Sequence, residues 1–175
     1  LAPNRYKDYA GDMRSNLLKT KAKDPTYAVM GVDQEGIPYA TSLAAGPHWL
    51  CCGQTGSGKS VYMNAMLASV MYHATPDELI ITVIDPKMVE FTKYKDLPHV
   101  AVDPVTDMGD AFGLLAYWVW EMERRYGVLA KAGVRDITSY NAWSLEHKKE
   151  AAAMGYPRMK YVICVIDEYA DMVMQ

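Results

Sequence analysis

An α/β fold with a mainly parallel sheet, preceded by a helix and a β-hairpin, is what this sequence predicts. The glycine-rich run Gly53–Ser60 lies between an apolar stretch and one with helical spacing. Leu79–Ile84 and Tyr161–Ile166 are continuous apolar runs rich in β-branched residues, as in strands covered on both faces. Residues 107–131 repeat apolar side chains at the period of a long helix. Strands alternating with helices imply parallel pairing through right-handed crossovers.

The elements follow in chain order. Residues 4–20 read as a helix, with Tyr6, Tyr9, Met13, Leu17 and Leu18 on one side, and Lys21–Pro25 as a polar break. An N-terminal helical and linker segment over 1–26 is therefore expected before a domain over 27–175. Tyr27–Val32 and Ile37–Leu43 flank Asp33-Gln34-Glu35-Gly36, a hairpin signal with glycine where a positive φ is useful. Pro47–Cys52 has the apolar character of a buried strand leading into the glycine-rich run. Val61, Met63, Met66, Leu67, Val70 and Met71 then recur at helical spacing through Tyr72. The strand at Leu79–Ile84 is stopped by Asp85-Pro86-Lys87. In the long helix, Met108, Ala111, Phe112, Leu115, Trp118, Met122, Tyr126 and Leu129 share the face expected to pack in the core. Asp136 is a good N-cap for a second, short helix, and His147–Pro157 reads as a surface connection.

Composition bounds the function. Of 175 residues, 50% are hydrophobic and 22% charged, which describes a globular chain with a proper core. A net charge of -3 argues against strong non-specific nucleic-acid binding by the segment as a whole, without excluding a local basic patch. The first 23 residues are basic, with Arg5, Lys7, Arg14, Lys19, Lys21 and Lys23 against Asp8 and Asp12, and read as a solvated amphipathic segment rather than a DNA arm. Cys51, Cys52 and Cys164 lack metal-ligand spacing and are expected as buried reduced thiols, which fits a cytoplasmic location. The sequence shows no signal peptide or membrane span; because it starts at Leu1, it reads as a fragment that leaves room for a membrane anchor in a longer parent.

Gly53-Gln54-Thr55-Gly56-Ser57-Gly58-Lys59-Ser60 matches G-x-x-x-x-G-K-[ST], the phosphate-binding loop. Its glycines permit backbone angles that side chains forbid, so successive N–H groups, through Val61, can turn inward around an anion. Lys59 is expected on the β/γ-phosphates and the Ser60 hydroxyl on Mg²⁺. The helix that follows presents its positive end to the same phosphates. ATP and Mg²⁺ are therefore the expected ligands.

The run Tyr161–Ile166 ends in two acids, Asp167 and Glu168, and acids there are costly unless they have a task. Beside a phosphate-binding loop, Asp167 is expected to hold Mg²⁺ as a Walker B acid, and Glu168 to take a proton from the attacking water or orient it. The loop, Asp85-Pro86-Lys87 and Asp167-Glu168 all fall at strand C-termini, where open α/β sheets bind ligands. Asp85 and Lys87 are read as part of the nucleotide site, as a subunit contact, or equally as a surface turn. Arg124, Arg125 and Arg135 are candidates for phosphate contacts in a neighbouring subunit or for DNA contacts, against the plainer reading of exposed helix-face arginines. His73 and His99 are read as structural or solvated.

Several stretches together resemble the FtsK/SpoIIIE-type DNA translocases. They are the phosphate-binding loop, Ile84–Phe91, Leu97–Val100, Glu121–Tyr126, Gly133–Ile137 with Tyr140-Asn141, and Val165–Asp171. The resemblance covers residues 38–175. It implies a RecA-like motor domain that assembles into a ring, a hexamer, and pumps double-stranded DNA through its pore using ATP. It also implies that ATP sits at subunit interfaces, completed by an arginine from the neighbour, and gives Lys59, Ser60, Asp167 and Glu168 the roles already argued. Members of the family continue past the Walker B acid with a strand carrying a polar γ-phosphate sensor and, further on, a winged-helix module. This sequence ends at Gln175, and Tyr169 stands where phenylalanine is commoner. The competing expectations are a ring ATPase of another type, such as a packaging or secretion motor, and an ATP-binding assembly module without turnover.

Overall fold

The computed structural model describes residues 24–35, 37–46, 48–54 and 56–174. They fall into two compact units divided between Leu79 and Ile80. The helix expected over 4–20, the basic N-terminal end and Gly36 lie outside the described residues.

The first unit holds the hairpin and the loop–helix segment. Strands β1 (Tyr27–Val32) and β2 (Pro38–Ser42) pair antiparallel, with an irregularity between Val29 and Gly31. Asp33 fixes the turn by accepting the N–H groups of Glu35 (2.9 Å) and Ile37 (2.8 Å). Helix α1 (Lys59–His73) packs on β1 and buries Met63, Leu67 and Val70 with Ala28 and Val29. Ser69 ties the two together: its buried hydroxyl accepts the Val29 N–H at 3.0 Å, satisfying a strand donor that water cannot reach. His73, also buried, sets Nε2 3.0 Å from the Asp24 carbonyl, the structural role expected of it.

The strand expected over Pro47–Cys52 does not form at residues 48–52, and both cysteines there are exposed. Instead the Trp49 indole folds back, donating to the Leu43 carbonyl at 2.9 Å and covering Gly46, where a Cβ would meet the ring at 3.2 Å. An apolar run becomes a strand only where a neighbour takes its backbone groups, and among the described residues none does so here.

In the second unit the candidate acids stand at strand ends. Strand β3 (Leu79–Ile84) is buried along almost its whole length. It has β4 (Tyr161–Ile166) as its sheet neighbour, and parallel bridges join Ile81 to Val100 and Ile84 to Val105. The Asp167 N–H donates to the Ile84 carbonyl at 3.0 Å, so the carboxyl ends of β3 and β4 lie side by side and the strands run the same way. β4 is less covered than expected: Val165 is buried, whereas Cys164 is exposed. All three cysteines thus depart from the burial read in the sequence.

Helix α2 (Met108–Ala132) is opened by Asp107, which accepts the Asp110 N–H at 3.1 Å, and closed by Gly133 at φ 70°. Its buried face carries Ala111, Glu121, Val128 and Leu129, while Phe112, Met122 and Tyr126 of the expected stripe are 50%, 46% and 60% exposed. The apolar residues of this helix run around more than one face, so spacing alone could not fix which side is buried. Asp136 caps α3 (Ile137–Glu146) as expected, through the Ser139 N–H at 2.7 Å. The expected surface connection instead contains α4 (Lys148–Ala153), whose Ala151 is buried with Tyr156 and Met159 against Val128, Leu129 and Tyr140. A second cluster gathers Ile84, Ala111 and Met172, the last on the short helix α5 (Tyr169–Val173).

Candidate functional site

The phosphate-binding loop belongs to the first unit, and its geometry follows from its glycines. Gly56 (φ 79°) and Gly58 (φ 91°) take left-handed angles that L side chains rarely adopt. Gly58 is the N-cap of α1, so Lys59 and Ser60 form the first turn at the amino end of the helix. The Ser57 N–H closes a turn onto the Gln54 carbonyl at 2.9 Å. A Cβ on Gly53 would run into the Ser57 hydroxyl, so the loop is as tight as its residues allow. Gln54, Gly56, Ser57 and Val61 are exposed, Lys59 and Ser60 half-buried, and Thr55 lies outside the described residues. Left-handed glycines, a helix amino end and a half-buried lysine and serine form a donor set suited to phosphate.

The acids belong to the second unit. Asp167 is buried at the end of β4, held beside β3 through its own N–H. Glu168 follows as the N-cap position of α5, but its side chain makes no capping bond. Its carboxylate instead meets Lys87 Nζ at 3.4 Å, and the same ammonium lies 3.5 Å from Asp171. Desolvation pulls the Lys87 ammonium down, yet the Asp171 and Glu168 carboxylates more than offset it and hold its pKa above the ordinary lysine value. Among the described residues no three His, Cys, Asp or Glu side chains cluster as a metal site.

Asp85 is fully buried. Its Oδ2 accepts the N–H groups of Phe91 (2.9 Å) and Glu90 (3.1 Å), while buried Oδ1 has no hydrogen-bond partner among the described residues. Of the readings offered for Asp85, part of the nucleotide site, a subunit contact or a surface turn, burial removes the last: the residue clamps the 86–90 turn from inside, and the structure draws it, Lys87 and the β4 acids to one end of the sheet.

The arginines divide in two. Arg124 and Arg125 converge on the buried carboxylate of Glu121 at 2.9 and 2.8 Å, and Arg125 also donates to the Lys160 carbonyl at 2.7 Å. Arg124 stands 4.5 Å from the Tyr156 ring centre and 5.3 Å from that of Trp120. Arg135 is exposed. The Glu121 centre escaped the sequence reading, although acid and arginine at i, i+3 and i+4 on a helix are its visible signal.

The sequence profile of the FtsK/SpoIIIE family matches residues 12–175. The chain belongs to that family. It is 37% identical to the DNA translocase FtsK of Vibrio parahaemolyticus and 41% identical to the DNA translocase SftA of Bacillus subtilis, in each case over 98% of this chain. It spans 18% of the length of either relative. Among solved structures, the cytoplasmic domain of the Thermomonospora curvata type VII secretion ATPase EccC aligns with a TM-score of 0.63 at 25% identity, over 87% of this chain and 18% of that one. The pCW3 conjugation coupling protein TcpA, in a monomer form with ATPγS, gives 0.64 at 26% identity, over 87% and 38%. The α/β, RecA-like P-loop core expected from the sequence is the fold of this FtsK/SpoIIIE-family chain. Among the described residues no helix is long and apolar enough to cross a membrane.

Proposed function

We propose that this domain is an ATP-driven motor that translocates double-stranded DNA, working within a ring of like subunits, a hexamer. The observation that carries the reading is the left-handed Gly56 and Gly58 at the amino end of α1 in a chain of the FtsK/SpoIIIE family. Relatives named as DNA translocases support the DNA partner, and the neighbour bound to ATPγS supports ATP as the nucleotide.

In this reading the loop N–H groups from Gly53 to Val61 hold the phosphates, with Lys59 compensating negative charge on the β/γ-phosphates as the transition state forms. Glu168 accepts the proton of the attacking water; the bond between the γ-phosphorus and the bridging oxygen breaks, and ADP and phosphate leave. Ser60 and Asp167 would hold Mg²⁺, whose contribution is neutralisation of charge on the phosphate oxygens. The ring and the arginine completing a neighbour's site are part of the same proposal, with Arg135 exposed for such a contact or for DNA. A cytoplasmic setting, with any membrane anchor elsewhere in a longer parent, completes it.

A secretion ATPase among the structural neighbours favours a second reading, a ring ATPase acting on other cargo. One measurement separates them. ATP hydrolysis by the full-length protein rises with duplex DNA and is lost in Lys59→Ala and Glu168→Gln if the first reading holds. Equal rates with and without duplex would sink it and leave the second. Nucleotide binding and ring formation without phosphate release would favour an assembly module instead.

A further inference from the structure

We infer that Lys87 is a positioning residue for hydrolysis: it reaches across from the turn after β3 and sets the carboxylate of Glu168 at the end of β4. The inference rests on the reading of Glu168 as the base.

The turn that carries Lys87 is pinned from both sides. Asp85, fully buried, accepts the Glu90 and Phe91 N–H groups through Oδ2, and the Met88 N–H donates to the Asp85 carbonyl at 3.1 Å. Phe91 is itself fully buried and lies 5.4 Å from the Tyr94 ring, so the far end of the turn is anchored in the core. Between these anchors Met88 takes φ 54°, a left-handed angle costly for a residue with a side chain. Met88 is 61% exposed, so its own packing does not enforce that angle; the clamp on either side does.

The receiving side is equally defined. The Asp167 N–H bond to the Ile84 carbonyl fixes the ends of β3 and β4 against each other at 3.0 Å. Glu168 follows directly, and its side chain is not spent on capping α5. Lys87 Nζ stands 3.4 Å from its Oε2 and 3.5 Å from Asp171 Oδ2. An ammonium with three donors can serve two carboxylates at once, and Asp171 keeps Lys87 lying over the strand end. An ion pair this exposed adds little to stability. A turn held in a costly conformation to present it therefore points to placement rather than to fold maintenance.

The test compares full-length wild type, Lys87→Ala, Lys87→Arg, Glu168→Gln and the double variant Lys87→Ala/Glu168→Gln in ATP hydrolysis, binding of a fluorescent ATP analogue, and thermal unfolding. Misplacing a catalytic group should cost Lys87→Ala about tenfold or more in kcat, with analogue affinity and melting temperature near wild type. Lys87→Arg, which can still span the gap, should recover most of the loss. In the Glu168→Gln background Lys87→Ala should cause no further drop. Wild-type kcat in Lys87→Ala beside an inactive Glu168→Gln overturns the role of Lys87 alone. So does a kcat loss that arginine fails to rescue or that comes with lost nucleotide binding. Wild-type hydrolysis in Glu168→Gln overturns the base assignment and the inference with it.

Discussion

The Tyr156 hydroxyl donates to Glu121 Oε1 at 2.7 Å, and that one bond joins the middle of α2 to the segment that leads into β4. Arg124 and Arg125 hold the same carboxylate, and Arg125 also grips the Lys160 carbonyl, one residue before the strand. Burial pushes the Tyr156 hydroxyl up, and the bond to Glu121 and its charge add to the push, taking the pKa to about 12 from an ordinary 10.0. The raised pKa means that the folded state favours the neutral phenol. Its stabilisation is complete below pH 10.0 and is lost as pH climbs toward about 12. Tyr156→Phe should lower stability at neutral pH by about 1–2 kcal/mol. It should also flatten the alkaline fall of the unfolding free energy, measured in urea as a difference from wild type. An unchanged slope would mean that this bond is not what shifts the phenol.

Glu121 itself predicts the acid limb. Burial alone would raise its carboxyl, but the bonds from Arg125, Tyr156 and Arg124 outweigh it and hold the pKa below 4.5. A depressed carboxyl stabilises the fold above its ordinary value, and the contribution disappears as pH falls through the lowered one. Glu121→Gln should therefore be destabilised at pH 7, with the gap to wild type closing below the ordinary carboxylate range. Because the substitution leaves two arginines facing a neutral amide, the neutral-pH loss should be on the order of 3 kcal/mol. A constant gap across the acid range would count against the charge as its source.

Asp85 provides the next prediction. Its buried Oδ2 satisfies two backbone donors, so Asp85→Ala strands both and should cost about 2–4 kcal/mol in urea unfolding. Asp85→Asn keeps one acceptor oxygen and should cost clearly less. Equal losses in the two variants would show that the charge, not the acceptor geometry, holds the turn.

Much of this was legible in the sequence where local chemistry decides the outcome. The Asp136 cap, the Asp33 turn, the helix after the phosphate-binding loop and the strands at Leu79–Ile84 and Tyr161–Ile166 each carry their signal within a few residues. What failed was long-range. Pro47–Cys52 has strand composition, yet Trp49 turns back to the Leu43 carbonyl. Cys164 lies in an apolar run, but its burial depends on what packs over β4 rather than on its neighbours in the chain. The buried face of α2 is not fixed by its sequence, because Phe112, Met122 and Tyr126 keep a helical period with Leu129 and period does not say which side meets a partner. Glu121 shows part of its centre locally, in Arg124 and Arg125 at i+3 and i+4, but Tyr156, its closest donor, is 35 residues away.

The phosphate-binding loop itself separates two kinds of glycine requirement, and the two should respond differently to repair. At Gly58 the demand is conformational: φ is 91°, and a Cβ there meets no atom within 4 Å. Alanine would strain its own backbone by about 1–2 kcal/mol, and no change in a neighbour relieves that. At Gly53 the demand is steric, because a Cβ would run into the Ser57 hydroxyl. Both Gly53→Ala and Gly58→Ala should weaken binding of a fluorescent ATP analogue by about tenfold, since a displaced loop misaims its N–H groups. Adding Ser57→Ala removes the obstructing oxygen and should restore binding to Gly53→Ala while leaving Gly58→Ala unrepaired. Rescue of both, or of neither, would mean that the two glycines do not act through these separate causes.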